Sequence, residues 1–253
     1  MKLFLRALAL FCALTSGLAS GVAHAAEVRV AVAANFSAPM QKIAAEFAAD
    51  TGHTAVLSLG STGKLFAQVR NGAPFQVLLA ADADTPARLE AQGLALGGTR
   101  FTYATGRLVL WSKQAGLVDA KGEVLRTGTF AHIALADPKL APYGAAAIQT
   151  LEKLGLLQSL QGRMVQGESI AQAYQFVATG NAALGFVALA QVTSDGRLTE
   201  GSAWVVPANL HAPIRQDAVL LTQGRDAPAA LALMAYLKGD KARKIMQSFG
   251  YGL

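Results

Sequence analysis

The chain has 253 residues, of which 53% are hydrophobic and 15% are charged, and its formal net charge is +6. This apolar, alanine-rich composition is typical of a compact globular protein and excludes an intrinsically disordered chain. The basic residues are scattered, without a run or interleaved aromatic residues, so we expect no nucleic-acid partner, although a mild positive field favours small anions.

The first 25 residues are typical of a secretory signal peptide. A basic start precedes an apolar stretch, which ends in the small-x-small pattern Ala23-His24-Ala25. We expect export and removal of residues 1–25, with cleavage after Ala25 or Ala26. Cys12, the one cysteine of the sequence, lies in this segment. The mature chain is therefore expected to have no disulfide and no thiolate metal site.

The next part of the sequence alternates strand and helix patterns. Residues 27–34 form an apolar strand pattern, and the following helix pattern places Met40, Ile43, Ala44 and Phe47 on one face. Two more pairs follow, "TAVLSLG" with "TGKLFAQVRNG" and "FQVLLAAD" with "TPARLEAQGL". This alternation predicts an α/β fold with a mainly parallel sheet.

Two long extended segments interrupt the alternation, "FTYATGRLVLWSK" and "AWVVPANLHAPIRQDAVLLTQ". Further strand and helix patterns lie between them, and the chain ends in one predicted helix, "PAALALMAYLKGDKARKIMQSFG". We therefore predict two α/β lobes joined by the extended segments. Lobe I comprises residues 26–105 and 214–253, lobe II comprises residues 106–213, and a ligand cleft lies between them.

Polar groups are concentrated at four strand-to-helix turns, two in each predicted lobe. In open α/β sheets, ligands bind at the carboxyl ends of strands, against helix N-termini whose first N–H groups are free donors. Together the turns predict an anion site made of neutral donors. They lie at Ala34-Asn35, Ser61-Thr62-Gly63, Pro142-Tyr143-Gly144 and Glu168-Ser169-Ile170.

Each of these turns also has an ordinary structural explanation. Asn35 can cap a helix, and so can Ser61 or Thr62 and, in the second lobe, Ser169. Tyr143 beside a glycine can be a half-buried packing residue. Capping and anion binding do not exclude each other, and the presence of all four turns in one α/β chain favours binding.

Nucleotide binding and catalysis are less favoured interpretations. "GSTGK" departs from the nucleotide-binding loop at Ser58 and Leu65, where that loop needs Gly and Ser or Thr. Lys64 is then a solvated helix residue that can steer anions. Asp82 and Asp84 could bind a metal and leave open a secreted α/β hydrolase, although capping of the third helix is the favoured explanation for them. Since no histidine has metal-ligand spacing and no serine lies in a nucleophile elbow, we do not expect an enzyme.

At these segments the chain resembles the periplasmic molybdate-binding proteins of bacterial ABC importers, the ModA family. The resemblance covers nearly all of the mature sequence and rests on "VAANFSAPMQKIAAEF", "GSTGKLFAQVRNGAP", "AAD", "LADPKLAPYGAAAIQTLEKLG", "LGFVALAQV" and "YLKGDKARKIMQSFGY". It implies the two-lobe type II periplasmic-binding-protein fold and capture of molybdate, with tungstate, in the periplasm. It also implies delivery to an inner-membrane permease with a cytoplasmic ATPase. No cofactor is expected, and we expect a monomer.

The resemblance further implies which residues hold the oxyanion. These residues form a metal site only in the sense that molybdate contains molybdenum. The chain departs from part of the family at Asn35, Tyr143 and Ala188, where a serine, a small residue and a tyrosine often stand. We hypothesise that Tyr143 supplies the phenol that Ala188 cannot. Sulfate or another tetrahedral oxyanion remains an alternative ligand, since a sequence gives no cavity size. The implied ligand-binding residues are Ala34, Asn35, Ser61, Thr62, Tyr143 and Ile170.

Overall fold

A computed structural model describes residues 25–253, which form two α/β lobes, each built on a five-stranded sheet. Residues 1–24, which carry nearly all of the expected signal peptide, lie outside the described part of the chain. Within the described part, no helix is long and apolar enough to cross a membrane.

The first lobe begins with alternating strands and helices, as the sequence predicts. In chain order these are β1 (Glu27–Ala33), α1 (Ser37–Thr51), β2 (Thr54–Gly60), α2 (Thr62–Arg70), β3 (Val77–Leu79), α3 (Asp84–Ala91) and β4 (Phe101–Gly106). The predicted face of α1 is confirmed. Its Met40, Ile43 and Phe47 pack on Val30 and Val32 of β1 and are fully buried, so burial of this apolar stripe holds the helix on the sheet.

The second lobe contains the middle of the chain, and its strands span residues 108–205. Its elements are β5 (Leu108–Ser112), α4 (Val124–Thr127), β6 (Ile133–Ala136), α5 (Pro142–Lys153), α6 (Leu157–Leu160), β7 (Met164–Gly167), α7 (Ile170–Ala178), β8 (Leu184–Ala188), α8 (Leu189–Val192), β9 (Thr193–Ser194), β10 (Arg197–Leu198) and β11 (Ser202–Val205). Every residue of β5, β6 and β8 is buried, as expected for central strands covered on both faces.

The chain then returns to the first lobe through β12 (Ile214–Leu220), followed by α9 (Pro228–Tyr236) and α10 (Asp240–Ser248). The prediction of one C-terminal helix is wrong, because the helix breaks before Gly239. The N–H of Gly239 donates to the carbonyl of Tyr236, and Gly239 has an extended backbone at the N-cap position of α10. Glycine is a poor helix former but tolerates such a boundary.

The two sheets have the same topology. The strand orders are β2-β1-β3-β12-β4 and β7-β6-β8-β5-β11. In each sheet four strands run in one direction, and one strand, β12 or β5, is antiparallel to both neighbours. The prediction of mainly parallel sheets is therefore confirmed, with one antiparallel strand in each.

Each of the two long extended segments divides between the sheets. Arg107 separates β4 from β5, and residues 206–213 separate β11 from β12. The crossings lie side by side, because Ile214 pairs with Gly106 in the first sheet while Val205 pairs with Val109 in the second. The carboxyl ends of the parallel strands of both sheets thereby face each other across the cleft between the lobes.

Candidate functional site

The four predicted turns converge on one small pocket between the lobes. All six predicted ligand-binding residues line it, and no lining residue is charged. The cavity measures about 10 Å³, which is close to the smallest space that holds one water molecule. The lining residues are Ala33, Ala34, Asn35, Gly60, Ser61, Thr62, Ala81, Ala141, Pro142, Tyr143 and Ile170.

Ser61 contributes to the pocket a buried hydroxyl that has no hydrogen-bond partner within residues 25–253. It occupies the N-cap position of α2, yet its side chain makes no capping hydrogen bond. The residue is 4% exposed, and its Oγ has no partner among the described residues. A buried hydroxyl without a partner costs about 1–3 kcal/mol. The capping explanation is therefore wrong for Ser61, whose hydroxyl is available to a bound acceptor.

Thr62 presents a second hydroxyl. Its Oγ1 accepts a hydrogen bond from the backbone N–H of Ala81 at 3.0 Å, which ties the end of β3 to the start of α2. No described residue accepts the proton of this hydroxyl. Thr62 is 2% exposed and lines the pocket, so its hydroxyl can donate this proton to a ligand bound there.

Tyr143 supplies the third hydroxyl, from the second lobe. It follows Pro142 in the first turn of α5 and is fully buried. Its Oη accepts from Nε2 of Gln216 on β12 at 3.1 Å, so this bond joins the two lobes. Burial raises the pKa of the Tyr143 phenol well above its ordinary value. The phenol therefore stays neutral and keeps a proton to donate.

Asn35 lies in the 3₁₀ turn Ala34–Phe36 and does not cap α1. Its amide nitrogen donates to Oε1 of Gln216 at 2.9 Å and to the hydroxyl of Tyr251 at 3.0 Å. The amide nitrogen is thus held by the wall behind the pocket, while Asn35 and Ala34 border the pocket itself. The structure places Asn35 as part of the frame of the site.

Ile170 opens α7 at the fourth turn. The capping explanation is confirmed for the preceding Ser169, whose Oγ accepts from the N–H of Gln172 at 3.4 Å. The backbone N–H groups of Thr62, Tyr143 and Ile170, in the first turns of three helices, donate to no described residue. Free N–H groups of this kind carry the positive end of the helix dipole, so three helix N-termini meet at the pocket.

Two contacts hold the lobes together beside the pocket. The N–H of Gly63 donates to the carbonyl of Leu140 at 2.9 Å, and Nζ of Lys64 lies 2.7 Å from Oε1 of Glu168. The interpretation of Lys64 as a solvated helix residue therefore missed its partner. With these contacts made, the structure represents the closed arrangement of the cleft.

Sequence reasoning missed the residues behind the pocket, namely Tyr103, Gln216 and Tyr251. Gln216 is fully buried, and its Oε1 accepts from Tyr103 Oη at 3.0 Å. The available signal was the pair Gln216-Asp217 inside an otherwise apolar strand pattern. Ala188 is buried at the end of β8 and does not line the pocket.

A wider cavity of about 570 Å³ lies beside the pocket and is lined by Asp82 and Asp84. The prediction that Asp82 and Asp84 cap α3 is wrong for the N-cap position, which Ala83 occupies without a side-chain bond, but Oδ1 of Asp82 accepts from the N–H of Thr85 in the first turn at 2.7 Å. Burial raises the pKa of the Asp82 carboxyl. Among residues 25–253 no group of three His, Cys, Asp or Glu side chains is arranged to hold a metal ion.

A two-lobe α/β fold with a donor-lined pocket between the lobes defines a class of ligand-capturing proteins. Residues 28–252 match the family described as bacterial extracellular solute-binding protein, and the chain belongs to this family.

Several relatives share a more particular name. The molybdate-binding protein ModA of Azotobacter vinelandii is 58% identical over 244 residues, which cover 96% of this chain and 97% of the relative. ModA of Rhodobacter capsulatus is 49% identical over 247 residues, 98% and 96% of the two chains. The solved structure of the Azotobacter vinelandii periplasmic molybdate-binding protein superposes with a TM-score of 0.87 at 45% identity, covering 89% of this chain and 99% of that one.

A more distant structure shows how far the fold alone extends. The sulfate-binding protein SubI from Mycobacterium tuberculosis H37Rv superposes with a TM-score of 0.74 at 13% identity, covering 89% of this chain and 86% of that one. The fold is therefore shared with a protein named for a different anion, and the ligand has to be argued from the pocket.

Proposed function

We propose that this protein captures molybdate, and tungstate with it, in the periplasm and delivers it to an ABC importer. The observation that carries the proposal is the buried, unpartnered Oγ of Ser61 in a closed pocket lined by no charged residue. The names of the relatives that share 58% and 49% identity support molybdate as the ligand.

The proposed binding mode uses hydrogen-bond donors only. The hydroxyls of Ser61, Thr62 and Tyr143 each have a proton that no described residue accepts, and three helix N-termini add free N–H groups. Such fixed dipoles replace the water shell of a tetrahedral oxyanion without a counter-charge. The lobes close around the anion in a hinged motion.

A donor-only site discriminates against anions that carry a proton. The O–H of such an anion would face an N–H or O–H of the pocket, and an unpaired buried contact costs about 1–3 kcal/mol. Sulfate carries the same charge and shape as molybdate but is smaller, so it is the alternative ligand that the pocket chemistry leaves open. The size of the closed pocket then has to separate the two anions.

Capture without catalysis follows from the same residues. Ser61 has no described base beside its hydroxyl, and the Asp82 carboxylate is bound to the N–H and the hydroxyl of Thr85. The hydrolase alternative would need turnover of a phosphate ester, with or without a divalent metal, and we expect none. The partners proposed for the loaded protein are an inner-membrane permease and its cytoplasmic ATPase, and we propose that the protein acts as a monomer.

A thermal-shift titration of the purified mature protein tests the ligand. Molybdate, tungstate, sulfate and phosphate are added at one concentration, and Ser61→Ala serves as the matched site variant. A ligand at about 1,000 times its dissociation constant adds roughly 4 kcal/mol, a rise of several degrees. We expect the rise with molybdate and tungstate, reduced in Ser61→Ala. A rise with sulfate alone would contradict the proposed cargo, and no rise with any anion would contradict capture.

A further inference from the structure

Five polar side chains form one buried network behind the pocket. Tyr143 contacts it from the second lobe, and the other members belong to the first lobe. All of them are at most 5% exposed. Because each bond in such a network needs one donor and one acceptor, the direction of every bond constrains the next. The members are Asn35, Tyr103, Tyr143, Gln216 and Tyr251.

The donor-to-acceptor direction of these hydrogen bonds is fixed at the backbone carbonyl of Asn35, which can only accept. The hydroxyl of Tyr251 donates to this carbonyl at 2.9 Å. Since a tyrosine hydroxyl has one proton, the Tyr251 oxygen can only accept from the side chains around it. The nearest of these with good hydrogen-bond geometry is Nδ2 of Asn35 at 3.0 Å. The Asn35 side-chain amide is thereby fixed with its nitrogen toward Tyr251.

The same amide nitrogen also determines the orientation of the Gln216 side-chain amide. Its second proton is donated to Oε1 of Gln216 at 2.9 Å, so the Gln216 amide is fixed with its oxygen toward Asn35. Tyr103 is compatible with this orientation, since its hydroxyl lies 3.0 Å from both Oε1 of Gln216 and the carbonyl of Ala80, and both are acceptors. Nε2 of Gln216 then faces Tyr143 as a donor at 3.1 Å.

The end of this chain of bonds is the Tyr143 hydroxyl, whose oxygen accepts from Gln216. The Tyr251 hydroxyl and the Asn35 side chain also lie beside this hydroxyl, but the Gln216 bond is its one hydrogen bond of good geometry among the described residues, so its own proton is available to the pocket that Tyr143 lines. We infer that Gln216 and Tyr251 are positioning residues that fix the direction in which Tyr143 donates. In this way they make the site selective for anions without a proton. The inference rests on the proposed function of the pocket.

The close fit around Gly106 supports a dedicated role for this contact. Gly106 ends β4, where the chain leaves the first sheet. A methyl group added there would overlap the Tyr143 hydroxyl and crowd Nε2 of Gln216. The absence of a side chain at Gly106 therefore allows the phenol of one lobe to reach the amide of the other.

The test is the isosteric change Gln216→Glu, measured by calorimetric titration with molybdate and with phosphate. A carboxylate at this position accepts the Tyr143 proton and turns a lone pair of the phenol toward the pocket. We expect molybdate affinity to fall on the order of tenfold or more. The affinity for phosphate relative to molybdate should rise, because a protonated phosphate can donate to that lone pair. The added negative charge alone also disfavours doubly charged molybdate more than singly charged phosphate, so the change supports the inference only in so far as it depends on Tyr143.

A double-mutant cycle with Tyr143→Phe separates the effect of direction from the effect of added charge. If the inference holds, Gln216→Glu weakens molybdate binding several-fold more in the wild-type background than in the Tyr143→Phe background. Gln68→Glu, which adds the same charge at an exposed position of α2, should leave binding unchanged. Equal losses in both backgrounds would overturn the inference, because the loss and any change in selectivity would then come from the added charge alone.

Tyr251→Phe provides a second route that adds no charge. It frees the Asn35 amide to turn over, so molybdate affinity should fall by a few-fold, again only while Tyr143 is present. Thermal unfolding without ligand verifies that each variant is folded before titration. Binding by the wild-type protein with no coupling in either cycle would overturn the inference alone. No molybdate binding by the wild-type protein would overturn the proposed function and the inference with it.

Discussion

Nζ of Lys64 lies 2.7 Å from Oε1 of Glu168, and this ion pair joins the start of α2 in one lobe to the turn before α7 in the other. Both side chains are about half exposed. An exposed pair contributes at most about 1 kcal/mol and is screened by salt. Because the pair bridges the two lobes, we expect it to break when the cleft opens, so that its free energy adds to closure and thus to ligand affinity.

We therefore expect Lys64→Gln or Glu168→Gln to weaken molybdate binding by roughly two- to five-fold at low salt. The loss should shrink at high salt, which titrations at two ionic strengths would measure. Lys42→Gln, at an exposed lysine of α1, is the matched control. The same loss at both ionic strengths, or an equal loss in the control, would contradict this account.

Ser61→Ala should affect the free and loaded protein in opposite directions. The change removes a buried hydroxyl that has no partner, so the free energy of unfolding without ligand should stay equal or rise by about 1 kcal/mol. Molybdate affinity should fall on the order of tenfold or more, because a charge-assisted donor is lost. Denaturant unfolding and calorimetric titration measure the two effects. Ser159→Ala, at an exposed serine of α6, should change neither, and a loss of ligand-free stability in Ser61→Ala would argue against an orphaned hydroxyl.

Gly106→Ala should weaken both the fold and the site. The added methyl group meets the Tyr143 hydroxyl and Nε2 of Gln216, and overpacking of this kind costs about 1–3 kcal/mol. Molybdate affinity should fall as well, since the phenol is displaced from the pocket wall. Gly97→Ala is a suitable control, because a methyl group there meets nothing within 4 Å. Equal behaviour of the two variants in unfolding and titration would show that the contact is unimportant.

The Asp82 carboxyl should make stability depend on pH in the acidic range. Burial, with a smaller contribution from the nearby Asp84 and Asp217 carboxylates, raises the pKa of Asp82 in the folded protein. A raised folded pKa gives a stabilising contribution that is present below the unfolded pKa. That contribution is lost as the pH rises through the folded pKa. Asp82→Asn keeps an oxygen to accept from Thr85 but has no charge to form.

We therefore expect Asp82→Asn to gain stability relative to the wild-type protein as the pH rises from the acid side, with the difference levelling off near neutrality. Urea unfolding of both proteins across this pH range measures the difference. Asp84→Asn, at a neighbouring exposed carboxyl, is the control and should show a smaller change. A difference that is constant with pH would contradict the assignment.

The sequence predicts the elements of the site better than their roles. Strand and helix periodicity and the four turns are local features, so each can be recognised from a short stretch of the sequence. A serine before a helix, by contrast, has the same local pattern whether it caps the helix, as Ser169 does, or faces a ligand, as Ser61 does. Only packing around the side chain distinguishes the two cases.

Local sequence patterns do not predict the residues behind the pocket, for a different reason. Asn35 bonds to Gln216 and Tyr251 across 181 and 216 positions of the chain. Such contacts depend on the order of strands in the sheet, in particular on the return of β12 beside β3. The split of the first extended segment at Arg107 is similarly a property of the two sheets, since both halves have the same strand pattern.

The side-by-side crossings limit how the lobes can move. Two chain segments connect the lobes, Arg107 alone between β4 and β5, and residues 206–213, which include the 3₁₀ turn Ala208–Leu210, between β11 and β12. Because a single residue separates β4 from β5, the two sheets stay close together at Arg107. We therefore expect the lobes to part by turning about this point, so that the far sides of the cleft separate most. One pair of spectroscopic labels, one on each lobe across the cleft, would then report the opening of the cleft as a change in one distance.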